Sequence, residues 1–278
     1  MKYAILIPTD FSDNAWNAAV YAFKLYANET CSFYFLHAWS ISNATVRTYI
    51  TTHYVDTLED LALKQLKDLK ELAEKTNTNA NHTFEMILSK DNLLVAIELA
   101  INKHKIDTVV MGTKGATKAE ELLFGSQTVN VLKKMKLCPV LVVPEAYDFK
   151  VPMQIAFPTD FTRFYGEEIV AVKQLAELFN SKIRIVHITK KNGLTKVQDY
   201  NLSMLNVYLE NQAHSFHWLP EYADKTQEIN DFIKELDIDV LTMINYKHSF
   251  IEDILNEPVV KKIGFRPTVP FLVIPYVI

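Results

Sequence analysis

The sequence predicts an α/β protein built from two tandem domains, each an open five-stranded parallel sheet with helices on both faces. Two observations carry this. Short apolar runs alternate with amphipathic stretches along the whole chain, the pattern of strands joined by crossover helices. The same pattern then repeats with recognisable residues. Pro8-Thr9-Asp10-Phe11 returns as Pro158-Thr159-Asp160-Phe161, each time after an apolar strand. The run from Phe33 to Ala38, with His37, parallels Ile183 to Ile188, with His187. Ile106-Asp107 through Met111 parallels Ile238-Asp239 through Met243, and Cys138-Pro139 through Pro144 parallels Val269-Pro270 through Pro275. Four matches in one order make a duplicated domain, with copy boundaries at 1–146 and 152–278. The second copy lacks about 18 residues between its His-ending strand and its Asp-led strand.

In the first copy, Tyr3–Ile7 is a continuous apolar run, suited to a strand buried on both faces. Pro8 ends it. A helix is expected from Asp13-Asn14 to Tyr26, with Ala15, Ala18, Ala19, Ala22 and Leu25 on its apolar side. Ser32–Ala38 is the next strand. A long helix, Thr57–Lys75, has a charged, solvated face and is expected to bury Leu58, Leu61, Leu66, Leu69 and Leu72. Strand Phe84–Leu88, helix Leu93–His104, strand Thr108–Met111, helix Ser126–Met135 and strand Val140–Val143 complete the copy. The second copy reads as strands 154–157, 182–188, 215–219, 240–243 and 271–274, with helices 167–179, 198–212, 226–236 and 251–263.

Composition narrows the function. The chain has 278 residues, 49% of them hydrophobic and 22% charged, with a net charge of -4. No basic face points to nucleic acid. No apolar run reaches membrane-spanning length, and Tyr3–Ile7 is too short for a signal segment. The two cysteines, Cys31 and Cys138, sit in apolar runs without metal spacing and read as buried thiols of a reducing compartment, so the cytoplasm is the expected location. There are only six glycines, and Gly112, Gly115 and Gly125 cluster just after one strand. A chain so sparing with glycine is expected to use that cluster for a backbone purpose, either positive φ or close approach to a ligand.

Ligands of open α/β sheets bind beyond the carboxyl ends of the strands. Two segments meet there in the first copy: Pro8-Thr9-Asp10, and Met111-Gly112-Thr113-Lys114-Gly115 continuing to Gly125-Ser126-Gln127-Thr128. Gly125 precedes a helix N-terminus, where free N–H groups and the dipole favour an anion. Ser126 and Thr128 can add hydroxyl donors. Asp10 can accept from a ribose hydroxyl, or can be a turn or N-cap acceptor for the following helix. His37 and His187 read as partly buried and satisfied by backbone. His214, His217 and Glu221 make a weak metal candidate, because residues 214 and 217 face opposite sides of a strand. Trp39, Tyr49, His53 and Tyr54 read as a packed loop or as a lid. No Ser-His-Asp set, catalytic cysteine or paired carboxylates stand out, so no catalytic residue is assigned; at most, slow ATP hydrolysis is expected.

Gly112-x2-Gly115-x9-Gly125-Ser126 resembles the ATP-binding signature of the universal stress protein family, Gly-x2-Gly-x9-Gly-Ser/Thr, in every spacing. The Pro8-Thr9-Asp10 start, the strand ending in His37, the Asp107-x3-Met111-Gly112 approach and the closing Cys138–Pro144 run are similar to it as well. The resemblance implies a Rossmann-like, adenine nucleotide alpha hydrolase-like fold with five strands per domain. It implies adenine and ribose near Asp10 and Ala38, and phosphates at Gly112, Thr113, Gly115, Gly125, Ser126, Gln127 and Thr128. The implied ligand is ATP, ADP or AMP, with Mg carried by the phosphates, and the implied role is a stress-response protein acting on a separate protein partner. Closing strands of the two copies are expected to pair as an internal pseudo-dimer, and a further homodimer is left open. In the second copy Ile244, Lys247, Glu257 and Pro258 stand where the first has Gly112, Gly115, Gly125 and Ser126. A negative charge and a missing N–H there oppose phosphate, so the second copy is expected to be a structural half. A weak nucleotide hydrolase and a nucleotide-free scaffold are the alternatives.

Overall fold

The computed structural model describes residues 2–39, 52–113, 125–189, 193–220, 225–246, 249 and 268–276, with only the backbone of 52–54. The chain divides into two compact units, with the boundary between Cys138 and Pro139. In the first, β1 (Lys2–Pro8), β2 (Thr30–Ala38), β3 (His82–Ser89) and β4 (Thr108–Gly112) lie in the order β3-β2-β1-β4, all parallel. Helices α1 (Asp13–Leu25), α2 (Thr52–Thr76), α3 (Leu93–His104) and α4 (Ser126–Lys134) complete it. The second unit holds β5 (Val140–Val143), β6 (Gln154–Pro158), β7 (Lys182–Thr189), β8 (His214–Pro220), β9 (Val240–Asn245) and β10 (Phe271–Pro275) in the order β5-β10-β9-β6-β7-β8. Its helices are α5 (Glu168–Glu177), α6 (Lys196–Tyr208) and α7 (Lys225–Glu235). The expected helix 251–263 lies outside the described residues.

Each repeat contributes five strands, but the packing units do not end where the repeats do. β5, the closing strand of the first repeat, pairs antiparallel with β10, the closing strand of the second, with Leu141 opposite Leu272. Its four residues are all buried, so their apolar surface belongs to the second unit's core.

Both Asp-led strands are pinned the same way. Asp107 Oδ2 accepts the Ala4 N–H at 2.8 Å, and Asp239 Oδ2 accepts those of Met153 and Gln154, each at 2.9 Å. The neighbouring backbone bonds, Asp107 N–H to Ala4 and Asp239 N–H to Gln154, complete the pair of clamps. This fixes β4 beside β1, and β9 beside β6, at the strands' amino ends. Charge-assisted bonds of this kind are about twice as strong as neutral ones.

The first core centres on aromatic rings. Phe23 of α1 meets Phe33, Phe35 and Phe84 edge-on, and Phe33 stacks on Phe84 at 5.5 Å. Such pairs add about 0.5–1.5 kcal/mol each beyond burial. α2 begins five residues earlier than expected and turns a different stripe inward. Ala62, Leu66 and Ala73 are buried, whereas Leu61 and Leu72 are 52% and 45% exposed. The spacing of small and large apolar residues at i, i+4 and i+11 outweighs the leucine count.

α1 packs against β4 at Gly112. A Cβ at Gly112 would lie 2.8 Å from Asn14 Nδ2 and 3.1 Å from the Asn14 carbonyl oxygen, and Asn14 is itself buried. Gly112→Ala therefore destabilises the chain by about 1–3 kcal/mol. In an Asn14→Ala background the same substitution costs less, and a double-mutant cycle in urea shows coupling of at least about 0.5 kcal/mol. A second prediction concerns His82, which is buried, with Nδ1 2.6 Å from Asn77 Oδ1 and Nε2 3.1 Å from the Tyr26 carbonyl oxygen. Desolvation pulls its pKa below the ordinary 6.5, against smaller opposing effects of the Tyr26 and Glu29 backbones. The unfolded chain then binds the proton more readily. Stability supplied by neutral His82 is full above about pH 6.5 and is lost as pH falls through the lower folded-state value. The stability advantage of wild type over His82→Gln is expected to shrink between pH 7.5 and pH 5.5 in urea titrations.

Candidate functional site

β1 pairs with β4 through Ile5–Thr108 and Leu6–Val109, so Pro8-Thr9-Asp10 and Met111-Gly112-Thr113 leave the first unit's sheet at the same end. β2 brings Ala38 to that end, two residues past the Pro8–Leu36 pair. The predicted residues in the described parts of the two loops thus do converge. Lys114 and Gly115 lie outside the described residues, as does Tyr49.

The Pro-Thr-Asp-Phe segment is a tight backbone device. The Thr9 N–H donates to the Leu36 carbonyl at 2.8 Å, extending the β1–β2 ladder by one bond. The Phe11 N–H donates to Thr9 Oγ1 at 3.0 Å with Phe11 at φ 64°, a conformation uncommon for a large side chain. Asp10 Oδ1 accepts from Ser12 N and Ser12 Oγ at 3.2 and 2.6 Å. Ser12, not Asp10, is the N-cap of α1, accepting from the Ala15 N–H at 3.2 Å. His37 Nδ1 lies 2.9 Å from the Thr9 carbonyl oxygen, with the Phe11 ring 4.5 Å from its own. Asp10 is exposed while holding this turn.

The second repeat copies the device. Thr159 N–H donates to Val186, Phe161 at φ 55° donates to Thr159 Oγ1, and Asp160 Oδ1 accepts from Thr162 N and Oγ1. His187 Nδ1 lies 2.9 Å from the Thr159 carbonyl oxygen. Both histidines therefore have backbone partners, and the recurrent tetrapeptide has a structural reason to persist in both copies.

Gly112 and Gly125 have packing and backbone reasons within the described residues. Gly193 is the one positive-φ glycine among the described residues, so Gly112 is not there for a left-handed turn. It is there because Asn14 leaves no room for a Cβ. Asn14 was not singled out by sequence; its signal is a polar residue on the otherwise apolar face of α1. Gly125 takes φ -57° and ψ 151° as the N-cap of α4 and offers no side-chain cap. Its N–H donates to the Thr113 carbonyl at 2.7 Å, joining the end of β4 to the start of α4. Thr128 is buried, and its hydroxyl donates to the Gly112 carbonyl at 3.1 Å, so it secures the same junction instead of facing outward. Ser126 and Gln127 are exposed. No acidic residue sits in the first turn of α4, and Lys133 and Lys134 occupy its last. A helix start with no side-chain cap and no acidic residue in its first turn presents the partial positive charge of its N–H groups.

The remaining candidates resolve simply. Burial pushes the Cys31 and Cys138 thiols up to about 12, which keeps them protonated and unreactive. His214 Nε2 lies 2.9 Å from Asn206 Oδ1 and His217 Nε2 lies 2.9 Å from Ser215 Oγ. Glu221 is outside the described residues. Among the described residues no group of three His, Cys, Asp or Glu is placed to hold a metal, and no helix is long and apolar enough to cross a membrane.

Comparison with known proteins agrees with this frame. A family model, "Universal stress protein family", matches residues 3–144. Universal stress protein MJ0531 of Methanocaldococcus jannaschii is 32% identical over 141 residues, 50% of this chain and 80% of the relative. A universal stress protein structure from Archaeoglobus fulgidus superposes with a TM-score of 0.73 at 18% identity, over 98% of this chain and 96% of that one. A putative universal stress protein from Pseudomonas aeruginosa has the same fold at a TM-score of 0.56 and 14% identity, over 98% and 92% of the two chains. The fold extends along both repeats, and with residues 3–144 matched by its model, the chain belongs to the universal stress protein family.

Proposed function

We propose that the first unit binds an adenine nucleotide and that occupancy changes how the chain meets a protein partner in a stress response. The observation that carries the reading is the Thr113–Gly125 bond. It sets the uncapped start of α4 beside the ends of β1 and β4, the place where open α/β sheets take ligands. Phosphates are held by the backbone of that helix start, with Ser126 as a hydroxyl donor and with Gly115 and Thr113 in the approach. Ribose is held by the exposed Asp10 carboxylate, and adenine lies toward Ala38. A Mg ion, where present, is bound through the phosphates. In the second unit the buried Ile244 stands in the place of Gly112, which supports a structural role for that half with no nucleotide bound in this manner. With no residue assigned as a general base for attack on a γ-phosphate, the proposed role is binding and signalling.

A thermal-shift and calorimetric titration with Mg-ATP, ADP and AMP tests this. A ligand specific for the folded state at about 100 times its Kd stabilises by about 2.7 kcal/mol. That gain is expected in wild type and is expected to vanish in Gly115→Glu and Ser126→Glu, which place a carboxylate where the phosphates sit. Asp10→Asn keeps an acceptor for Ser12 and is expected to weaken binding while leaving basal stability near wild type. No response of nucleotide-free wild type to any of the three ligands overturns the proposal and leaves an interaction scaffold.

A further inference from the structure

The second unit has a cavity of about 120 Å³ where its own β6, β7 and β9 end. We infer that it is a binding site for a small, uncharged, single-ring aromatic molecule carrying a hydroxyl donor, seated with that hydroxyl on Asp160. This inference is independent of nucleotide binding in the first unit.

The cavity follows from one exchange. Where Gly112 lets α1 start at Asp13 against β4, Ile244 brings a branched side chain to the same strand position. By the repeat offset α5 would start at Arg163, and it starts at Glu168. The lost turn leaves Tyr165 buried beside the strand ends, its hydroxyl 2.7 Å from Thr159 Oγ1. The space beside Tyr165 is lined by apolar Val186, Ile188, Ile229 and Met243.

The walls are braced. Arg163 Nη2 binds Glu168 Oε1 at 2.8 Å, and the guanidinium lies 3.9 Å from the Tyr276 ring centre and 4.8 Å from that of Tyr246, whose other edge lines the cavity. Desolvation raises the pKa of both Tyr165 and Tyr246, so both phenols stay neutral. Among the described residues the charged groups on the cavity are Asp160 and Lys225, one of each sign.

Asp160 supplies the directional contact. Its Oδ1 accepts from Thr162 N, Thr162 Oγ1 and the Tyr246 hydroxyl at 2.9, 2.7 and 3.3 Å. No donor among the described residues reaches its Oδ2. A carboxylate oxygen with open lone pairs at an apolar cavity selects a guest that brings a donor. The volume sets the size: an apolar cavity of roughly 150 Å³ takes up benzene. A nucleotide is too large for this volume.

Phenol is the probe, with benzene and ATP as comparators, titrated calorimetrically into the full-length chain. Phenol is expected to bind wild type at least about tenfold more tightly than benzene, which lacks the donor. Ile229→Phe, which fills the cavity, is expected to abolish binding. Asp160→Asn keeps an acceptor for Thr162, preserves the turn, and is expected to weaken phenol about tenfold. ATP is expected not to displace phenol. Absence of phenol binding to wild type, binding unchanged in Asp160→Asn, benzene binding equal to phenol, or displacement by ATP would each overturn the inference. If Ile229→Phe fails to fold, the Asp160→Asn and benzene arms decide it.

Discussion

At the carboxyl end of the first strand of each repeat, the chain must leave a buried parallel sheet and start a helix while keeping its polar backbone paired. The Thr-Asp-Phe turn does this with its own side chains and two groups of the neighbouring strand. The threonine continues the ladder to the neighbouring strand, its hydroxyl accepts the phenylalanine N–H, and the aspartate accepts two donors from the next residue but one. A histidine from that neighbouring strand closes the threonine carbonyl from above. Buried backbone groups left open would cost about 1–3 kcal/mol each, so this turn is the constraint from which the positions of the helices and strand ends follow.

Because the turn is satisfied by groups of the fold in both repeats, it has a structural reason to persist in each. What differs is the strand end beside it. Glycine at 112 admits Asn14 and a helix that begins at once. Isoleucine at 244 accompanies a helix that begins at Glu168, with Arg163 and Tyr165 turned to other tasks. The strand end beside the turn is thus glycine in one repeat and isoleucine in the other, and by the repeat offset the helix after the turn starts five residues later in the second.

Much of this was legible in the sequence, and the reasons are physical. Runs such as Ile5-Leu6-Ile7 and Val140–Val143 have no polar face, so a strand buried on both sides is the reading they allow. The offset repeats fixed the order of elements, and the convergence of Asp10 with Gly112 followed from parallel topology. Partner identity within the site was not legible. Thr128 looked like an outward hydroxyl because nothing in its neighbours reveals that the Gly112 carbonyl lies 3.1 Å away. Gly112 looked like a ligand contact because a missing side chain does not say what occupies its place; here it is Asn14, ninety-eight residues away in the chain (112 − 14). Asp10 kept two readings, and its geometry accommodates both: one oxygen serves the turn while the group stays exposed.

The division of the chain between Cys138 and Pro139 bears on how two copies can diverge. A repeat that closed its own sheet would have to keep every strand-end geometry compatible with its own loops. Here the last strand of the first repeat is spent antiparallel against the last strand of the second, and β5 is buried in that role. The stabilising surface of the second unit therefore includes four residues that belong, by descent, to the first. Its stability rests on that pairing and on the Asp239 clamp, both distant from the carboxyl ends of β6 and β7. Isoleucine at 244, near the carboxyl end of β9, pairs with Ile274 in the β9–β10 ladder and leaves the Asp239 clamp at the amino end untouched. Architecture held at one end of the strands leaves the other end open to change of ligand chemistry.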